Sequence, residues 1–274
     1  MRRWPGFAEK GLGMATLLIE DAGPVRTMTL HRPERRNAMT SGMQEELIAA
    51  MEEAATEPEC RVVILTGSGE AFCAGLDLEQ LKGMVDRSPA EHTADATRIA
   101  RMFRTLYELP KPTIAAVNGA AIAGGTGLAT LCDFTLAAPG AKFGYTEVRI
   151  GFVPALVSAF LALQVGDKRA RGLLLSGRLF LAEEAFGWGL VSEIVSGGDL
   201  RERSKLLANA LLGNSSQSMG ATKRLLAEQN RVWLDRAIEA ALRANAVARE
   251  TADFREGISA FLEKRPPVWS KGRE

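Results

Sequence analysis

Residues 116–133 read AVNGAAIAGGTGLATLCD. The lead-in TIAAVNG is a short apolar run suited to a strand, the small residues after it form a tight helix, and CDFTLAA resumes as a strand. The surrounding uncharged run, Thr113 to Cys132, is about long enough to cross a bilayer, but it holds Asn118 and glycines at 119, 124, 125 and 127. Those residues fit buried backbone packed around a site better than a lipid-facing helix.

Working outward, the same alternation recurs. ATLLIEDAGPVRTMTLHRP predicts a hairpin turning at Asp21–Pro24. Met43, Leu47, Ala50, Met51 and Ala54 recur at helical spacing, with Ser41 and Gln44 placed as a capping box. RVVILTG reads as a strand covered on both faces, followed by a loop from Gly67 to Asp77 and a polar helix running to about Tyr107. Strands alternating with helices imply right-handed crossovers and stacked parallel strands. After about Asp199 no β-rich run remains. A helical tail follows, broken at GNSSQSMG, and its apolar Leu225, Leu226, Trp233, Ile238, Leu242 and Phe254 need cover from the core or from a neighbouring subunit.

Bulk composition narrows the function. A chain of 274 residues with 46% apolar and 24% charged content buries a sizeable core, and 34 basic against 33 acidic residues give a net charge of +1. No global field draws it to nucleic acid or to an anionic membrane, so an anionic ligand has to be held locally. Cys60, Cys73 and Cys132 form no CxxC pair and read as small buried apolar residues of a reducing compartment, with the cytoplasm as default and no metal site. The opening MRRWPGFAEKGLG lacks an apolar region of signal-peptide length and reads as a loose leader. Three segments are expected: a leader over 1–13, a core over 14–198 and a helical oligomerisation region over 199–274.

Several chemistries fail on spacing. Gly119 and Gly124 are placed as in a phosphate loop, but Gly125-Thr126 stands where Lys-Ser/Thr is required. GLGMAT and GSGEAF lack the third glycine of a dinucleotide turn, and no GxSxG is present. His31 and His92 are the only histidines, and both read as surface or capping residues.

Four segments carry the functional signal: TLHRPERRNAM (29–39), AFCAGLDL (71–78), AVNGAAIAGGTGLATLCD (116–133) and KFGYTEVRIGFVPA (142–155), with FLEKRPP (261–267) near the end. In order and spacing they resemble the signature of the enoyl-CoA hydratase/isomerase (crotonase) superfamily over about residues 15–268. The resemblance implies an α/β fold, the ClpP/crotonase-like spiral of ββα turns, with a C-terminal helical region that packs in a trimer or a hexamer. It implies an acyl-CoA thioester as substrate, no cofactor beyond it, and no nucleic-acid or membrane partner. It also implies an oxyanion hole built from the backbone N–H groups of Leu76 and Gly124. Two fixed donors aimed where enolate charge develops lower the barrier most in a dry site.

By the same resemblance Ala74, Gly75, Asp77, Gly125 and Gly127 border the thioester, and Arg36, Ala38, Lys264 and Arg265 lie near the nucleotide end of coenzyme A. Of the two glutamates usual in the hydratases, the second is present as Glu147, and the position of the first is occupied by Gly127. Glu147 is then the acid/base, taking one proton and delivering it to the substrate α-carbon. Glycine at 127 together with TEVRIGFVPA resembles single-glutamate members such as the methylglutaconyl-CoA hydratase-like proteins. Hydration is the leading reaction. Double-bond isomerisation by one glutamate and a non-catalytic acyl-CoA binder remain open beside it, while RNA binding by the tail is disfavoured because acids intersperse its bases.

Overall fold

A computed structural model of the chain describes residues 15–196 and 199–270. The expected leader over 1–13 lies outside the described residues.

The strands are β1 (Leu17–Ala22), β2 (Val25–Leu30), β3 (Val62–Gly67), β4 (Ala71–Cys73), β5 (Thr113–Val117), β6 (Ala120–Ile122), β7 (Phe134–Ala137), β8 (Lys142–Gly144), β9 (Phe180–Leu181) and β10 (Glu193–Ile194). The α-helices are α1 (Ser41–Thr56), α2 (Leu78–Met84), α3 (Pro89–Glu108), α4 (Gly124–Leu131), α5 (Ala155–Ser176), α6 (Ala182–Gly187), α7 (Leu200–Leu212), α8 (Ser216–Glu250) and α9 (Ala252–Glu263).

One sheet runs β1-β2-β3-β5-β7-β10, parallel throughout except for the antiparallel β1–β2 hairpin. A smaller sheet runs β4-β6-β8-β9. The apolar strands are explained by what covers each face. Val63, Leu65, Ala115 and Val117 point into the main core, while Val62, Ile64, Ile114 and Ala116 meet Leu200 and Ala208 of α7 on the other side. A strand covered on both faces has no polar alternation to display. The edge strand β1 is mostly exposed beyond Leu17.

The hairpin, α1, β3, β5, α4 and β7 form where the sequence places them. The loop expected over 67–77 carries β4, and β6 follows β5 after only two residues. Both are three-residue strands, too short to show a period. The polar helix is two helices, because Ser88 caps a new start with a full capping box to Glu91 and Pro89 opens the next turn. At α1 the cap is Thr40, whose hydroxyl accepts from the Met43 amide. This corrects the expected Ser41–Gln44 box and leaves Gln44 free for another role. His92, expected as a surface or capping residue, is buried against Arg249.

In the tail, Ile238 and Phe254 are buried and Leu242 packs on the core, whereas Leu225, Leu226 and Trp233 stay exposed. All three cysteines are buried and free. No described helix is long and apolar enough to cross a membrane.

Candidate active site

The two sheets and the helices α1, α3, α5, α8 and α9 surround a largely apolar cavity of about 560 Å³. Its wall contains Leu76, Gly124 and Glu147 together.

Asn37 organises the first side. Its side chain donates to the carbonyls of Ser68 and Ala71 at 2.8 Å, while its Oδ1 accepts from the Arg32 amide. The turn after β2 is thereby clamped to β4. Met39 then pairs with the following chain: its N–H donates to the Gly75 carbonyl at 2.7 Å, and its carbonyl accepts from the Asp77 amide at 3.0 Å. Successive peptide groups of an extended chain point to opposite sides. With Gly75 and Asp77 turned toward Met39, the Leu76 N–H turns away, toward the cavity, and it has no acceptor among the described residues. Asp77 itself is held by an Arg32 ion pair at 2.8 Å and caps α2 through the Glu79 amide.

The second amide comes from the start of α4. Ala123 sits at φ 52°, ψ −121°, a conformation an L-residue keeps only when its surroundings impose it, and its N–H donates to the Gly144 carbonyl at 2.7 Å. This directs the next N–H, that of Gly124, out of the helix end. As a first-turn amide it has no intrahelical partner, and the positive end of the helix dipole lies there. Gly75 and Ala123 bring the two segments into contact, since a Cβ at Gly75 would lie 3.4 Å from that of Ala123. Leu76 and Gly124 are the next residue along each segment. Gly125 is required by close approach: a Cβ there would stand 2.4 Å from the Cys73 carbonyl oxygen.

Glu147 opens a short 3-10 turn over Glu147–Ile150. Helix α9 seats that turn, with Gly257 so close that a Cβ would fall 2.3 Å from the Ile150 backbone. The carboxylate is buried, and its Oε2 has no hydrogen-bond partner. Burial raises its pKa to about 7, only partly offset by its own backbone amide. It can therefore accept or release a proton near neutrality.

The place of the missing first glutamate is filled. A Cβ on Gly127 would lie 2.9 Å from Val157 Cγ1 and 3.0 Å from Phe103 Cζ. We expect Gly127→Glu to lower the thermal midpoint by several degrees and to leave turnover no higher than wild type, because the new carboxylate has to displace Phe103 from the core. Thermal denaturation and a turnover assay on the same preparation check this.

The other expected residues divide. Arg36, Ala38, Ala74, Gly75 and Asp77 line the cavity, and Gly125 and Gly127 are packed behind it. Lys264 and Arg265 do not reach the wall. Lys264 ends α9 in a left-handed conformation, and Arg265 is bound by Glu256 and Glu263, so Phe261 is the residue α9 offers instead. Tyr145 is buried with its hydroxyl at Thr130, 3.3 Å away, and Arg149 is exposed, so both are structural or solvated residues. Sequence reading missed Gln44, Phe103, Val157 and Asn245, which the fold brings to the wall from four different helices. Among the described residues no three His, Cys, Asp or Glu side chains gather as a metal site.

The family model for enoyl-CoA hydratase/isomerase matches residues 20–272. The chain belongs to the enoyl-CoA hydratase/isomerase family. Within it, a Thermus thermophilus protein with a provisional enoyl-CoA hydratase name is 44% identical over 90% of this chain and 98% of its own length. The Escherichia coli 1,2-epoxyphenylacetyl-CoA isomerase is 34% identical over 90% of this chain and 95% of its own. A crystal structure of an enoyl-CoA hydratase from Mycobacterium avium superimposes with a TM-score of 0.82 at 32% identity, covering 94% of this chain and all of that one. The family's fold is thus the fold described above, a mixed α/β spiral with a helical C-terminal region.

Proposed function

We propose that this chain adds water across the double bond of an α,β-unsaturated acyl-CoA, through a thioester enolate held by the Leu76 and Gly124 amides. The observation that carries the reading is Glu147: a buried carboxylate with an unpartnered oxygen, titrating near neutrality, on the same cavity wall as two free amides.

The ionised Glu147 removes a proton from water as the water oxygen bonds to C3. The double-bond electrons move toward C2 and the thioester oxygen, where two N–H donors meet the developing charge. Glu147 then returns its proton to C2, the thioester carbonyl reforms, and one water has been added. A single carboxylate suffices because the proton it takes is the proton it gives. Family membership supports an acyl-CoA as the molecule in the cavity and requires nothing beyond it. That Arg36 and Ala38 lie on the wall next to exposed Glu34 and Arg35 supports a reading in which the coenzyme enters past them.

The test is mass spectrometry of products from 2-enoyl-CoA substrates. Gain of water is expected; an unchanged mass with a shifted double bond would convert the reading to isomerisation, and no change would leave a binder. We further propose that the protein works in the cytoplasm as a trimer or pair of trimers, with residues 199–274 as its assembly region. Leu206, Leu225, Leu226 and Trp233 lie exposed there and would be covered. Sedimentation equilibrium should give three or six copies, and a monomer would overturn the assembly reading.

A further inference from the structure

The helical wall of the cavity holds two polar side chains that the proposed chemistry does not use. Gln44 on α1 and Asn245 on α8 are 1% and 3% exposed, yet both line the cavity. Buried amides in an apolar wall are costly when left unpaired, so they call for a partner.

Their place relative to the thioester follows from the pairing of α3 with α8. The two helices run antiparallel: Tyr107 meets Asn230 at 3.1 Å, Arg104 meets Asp235, and Asp95 meets Arg249 at 2.9 Å. Asn245 therefore falls opposite the turn that contains Ile99, one turn along from Phe103. Gln44 is tied to the same turn, its Oε1 accepting from Arg98 Nε at 2.8 Å. Phe103 is the α3 residue that reaches Gly124, at 3.8 Å from a Cβ placed there. Gln44 and Asn245 thus flank Ile99 a helical turn, about 5 Å, beyond the level of the oxyanion amide. That is where the far end of an acyl chain would lie.

Their chemistry is set as well. A guanidinium only donates, so its bond to Oε1 leaves the Gln44 NH₂ as the end free for the cavity. Asn245 has no hydrogen-bond partner among the described residues, and its Oδ1 is buried without one, so either end of its amide is free to turn to a ligand. Behind the pair, Asp95 is shared by Arg98, Arg249 and Arg87, the last at 3.8 Å. Arg249 is fully buried one turn after Asn245, and His92 beside it is held toward its neutral form by burial and by Arg249. Glu45 reaches Arg98 only at 4.0 Å and is exposed to water. The buried cluster carries more positive than negative charge, and the Gln44 amide relays it to the cavity.

We propose that Gln44 and Asn245 determine specificity by binding an oxygen at the far end of the acyl chain, so that the substrate class is α,β-unsaturated acyl-CoA with a carboxylate or hydroxyl on its tail. This rests on the acyl-CoA reading of the cavity, but its test does not require turnover. Binding of saturated adipoyl-, 6-hydroxyhexanoyl- and hexanoyl-CoA is measured by calorimetry, with glutaryl- and pentanoyl-CoA as a shorter pair. At least one oxygen-tailed ligand should bind about tenfold tighter than its methyl-tailed match. Asn245→Leu, which keeps the branched shape without the polar atoms, and Gln44→Met should each bring that ratio to about one by weakening the oxygen-tailed ligand.

Equal or tighter binding of the methyl-tailed ligand in all three comparisons would overturn the proposal. So would a ratio unchanged in both variants, or a turnover loss in Asn245→Leu equal for 2-hexenoyl-CoA and its carboxyl-tailed counterpart, which would place Asn245 in the addition step instead. The wild-type ratio decides even where a variant fails to fold. Failure of every enoyl-CoA to gain water would end the hydratase reading while leaving this ratio to be read.

Discussion

Glu147→Gln is expected to lower kcat by at least about 10³-fold while acyl-CoA affinity and assembly size are kept, since the amide matches the carboxyl in shape but cannot carry the proton. Wild-type kcat/KM should rise with pH to a plateau, with a midpoint near the carboxyl's pKa of about 7, because only the ionised acid removes a proton from water. The variant's residual rate should lack that limb.

Stability moves the opposite way. A carboxyl of ordinary pKa 4.5 raised to about 7 in the fold favours the folded state while it is neutral. That contribution is present in full below about pH 4.5 and is lost as the pH rises through about 7. Glu147→Gln should therefore match wild type at low pH and exceed it by up to about 3 kcal/mol above neutrality. Chemical denaturation at pH 5 and pH 8 measures this. A variant less stable than wild type at pH 8 would assign Glu147 a structural role.

The second large effect is at Leu76, where the proposed donor is the backbone and no ordinary side-chain change removes it. Replacing the leucine by its α-hydroxy acid, which exchanges the amide for an ester, deletes that one N–H. The loss expected is about 10²–10³-fold in kcat, the scale for removing one oxyanion donor, with KM changed far less. The Asp77 amide keeps its bond to the Met39 carbonyl, whereas the Gly75 carbonyl, now an ester's, accepts more weakly from the Met39 amide, a cost that a thermal midpoint on the ester protein reads separately from kcat. Steady-state kinetics on the ester protein decides the matter; an unchanged kcat would remove Leu76 from the mechanism.

The core strands and main helices were legible because they carry long signals. Val62–Leu65 and Ile114–Val117 are continuous apolar runs, and α1 shows a full helical period. Strands β4 and β6 were not, since three residues display no period and such strands form only by pairing with neighbours distant in the chain, β4 with β6 and β6 with β8. Split helices and cap positions turned on single hydroxyls, as at Thr40 and Ser88.

For the site, local motifs carried the family resemblance, and that resemblance nominated Leu76, Gly124 and Glu147; small residues at set spacing mark turns that can aim a backbone amide. The burial that turns an ordinary glutamate into a near-neutral acid is a property of the assembled cavity, and no linear pattern encodes it. The same holds for Phe103 and Val157 occupying the place beside Gly127, and for Gln44 and Asn245 converging from helices about 200 residues apart in the chain. Sequence spacing settles which groups point out of a turn or along a helix face. Only the packing of α1, α3, α5 and α8 against one another decided which of them meet, because such contacts depend on how helices dock and not on the order in which their residues occur.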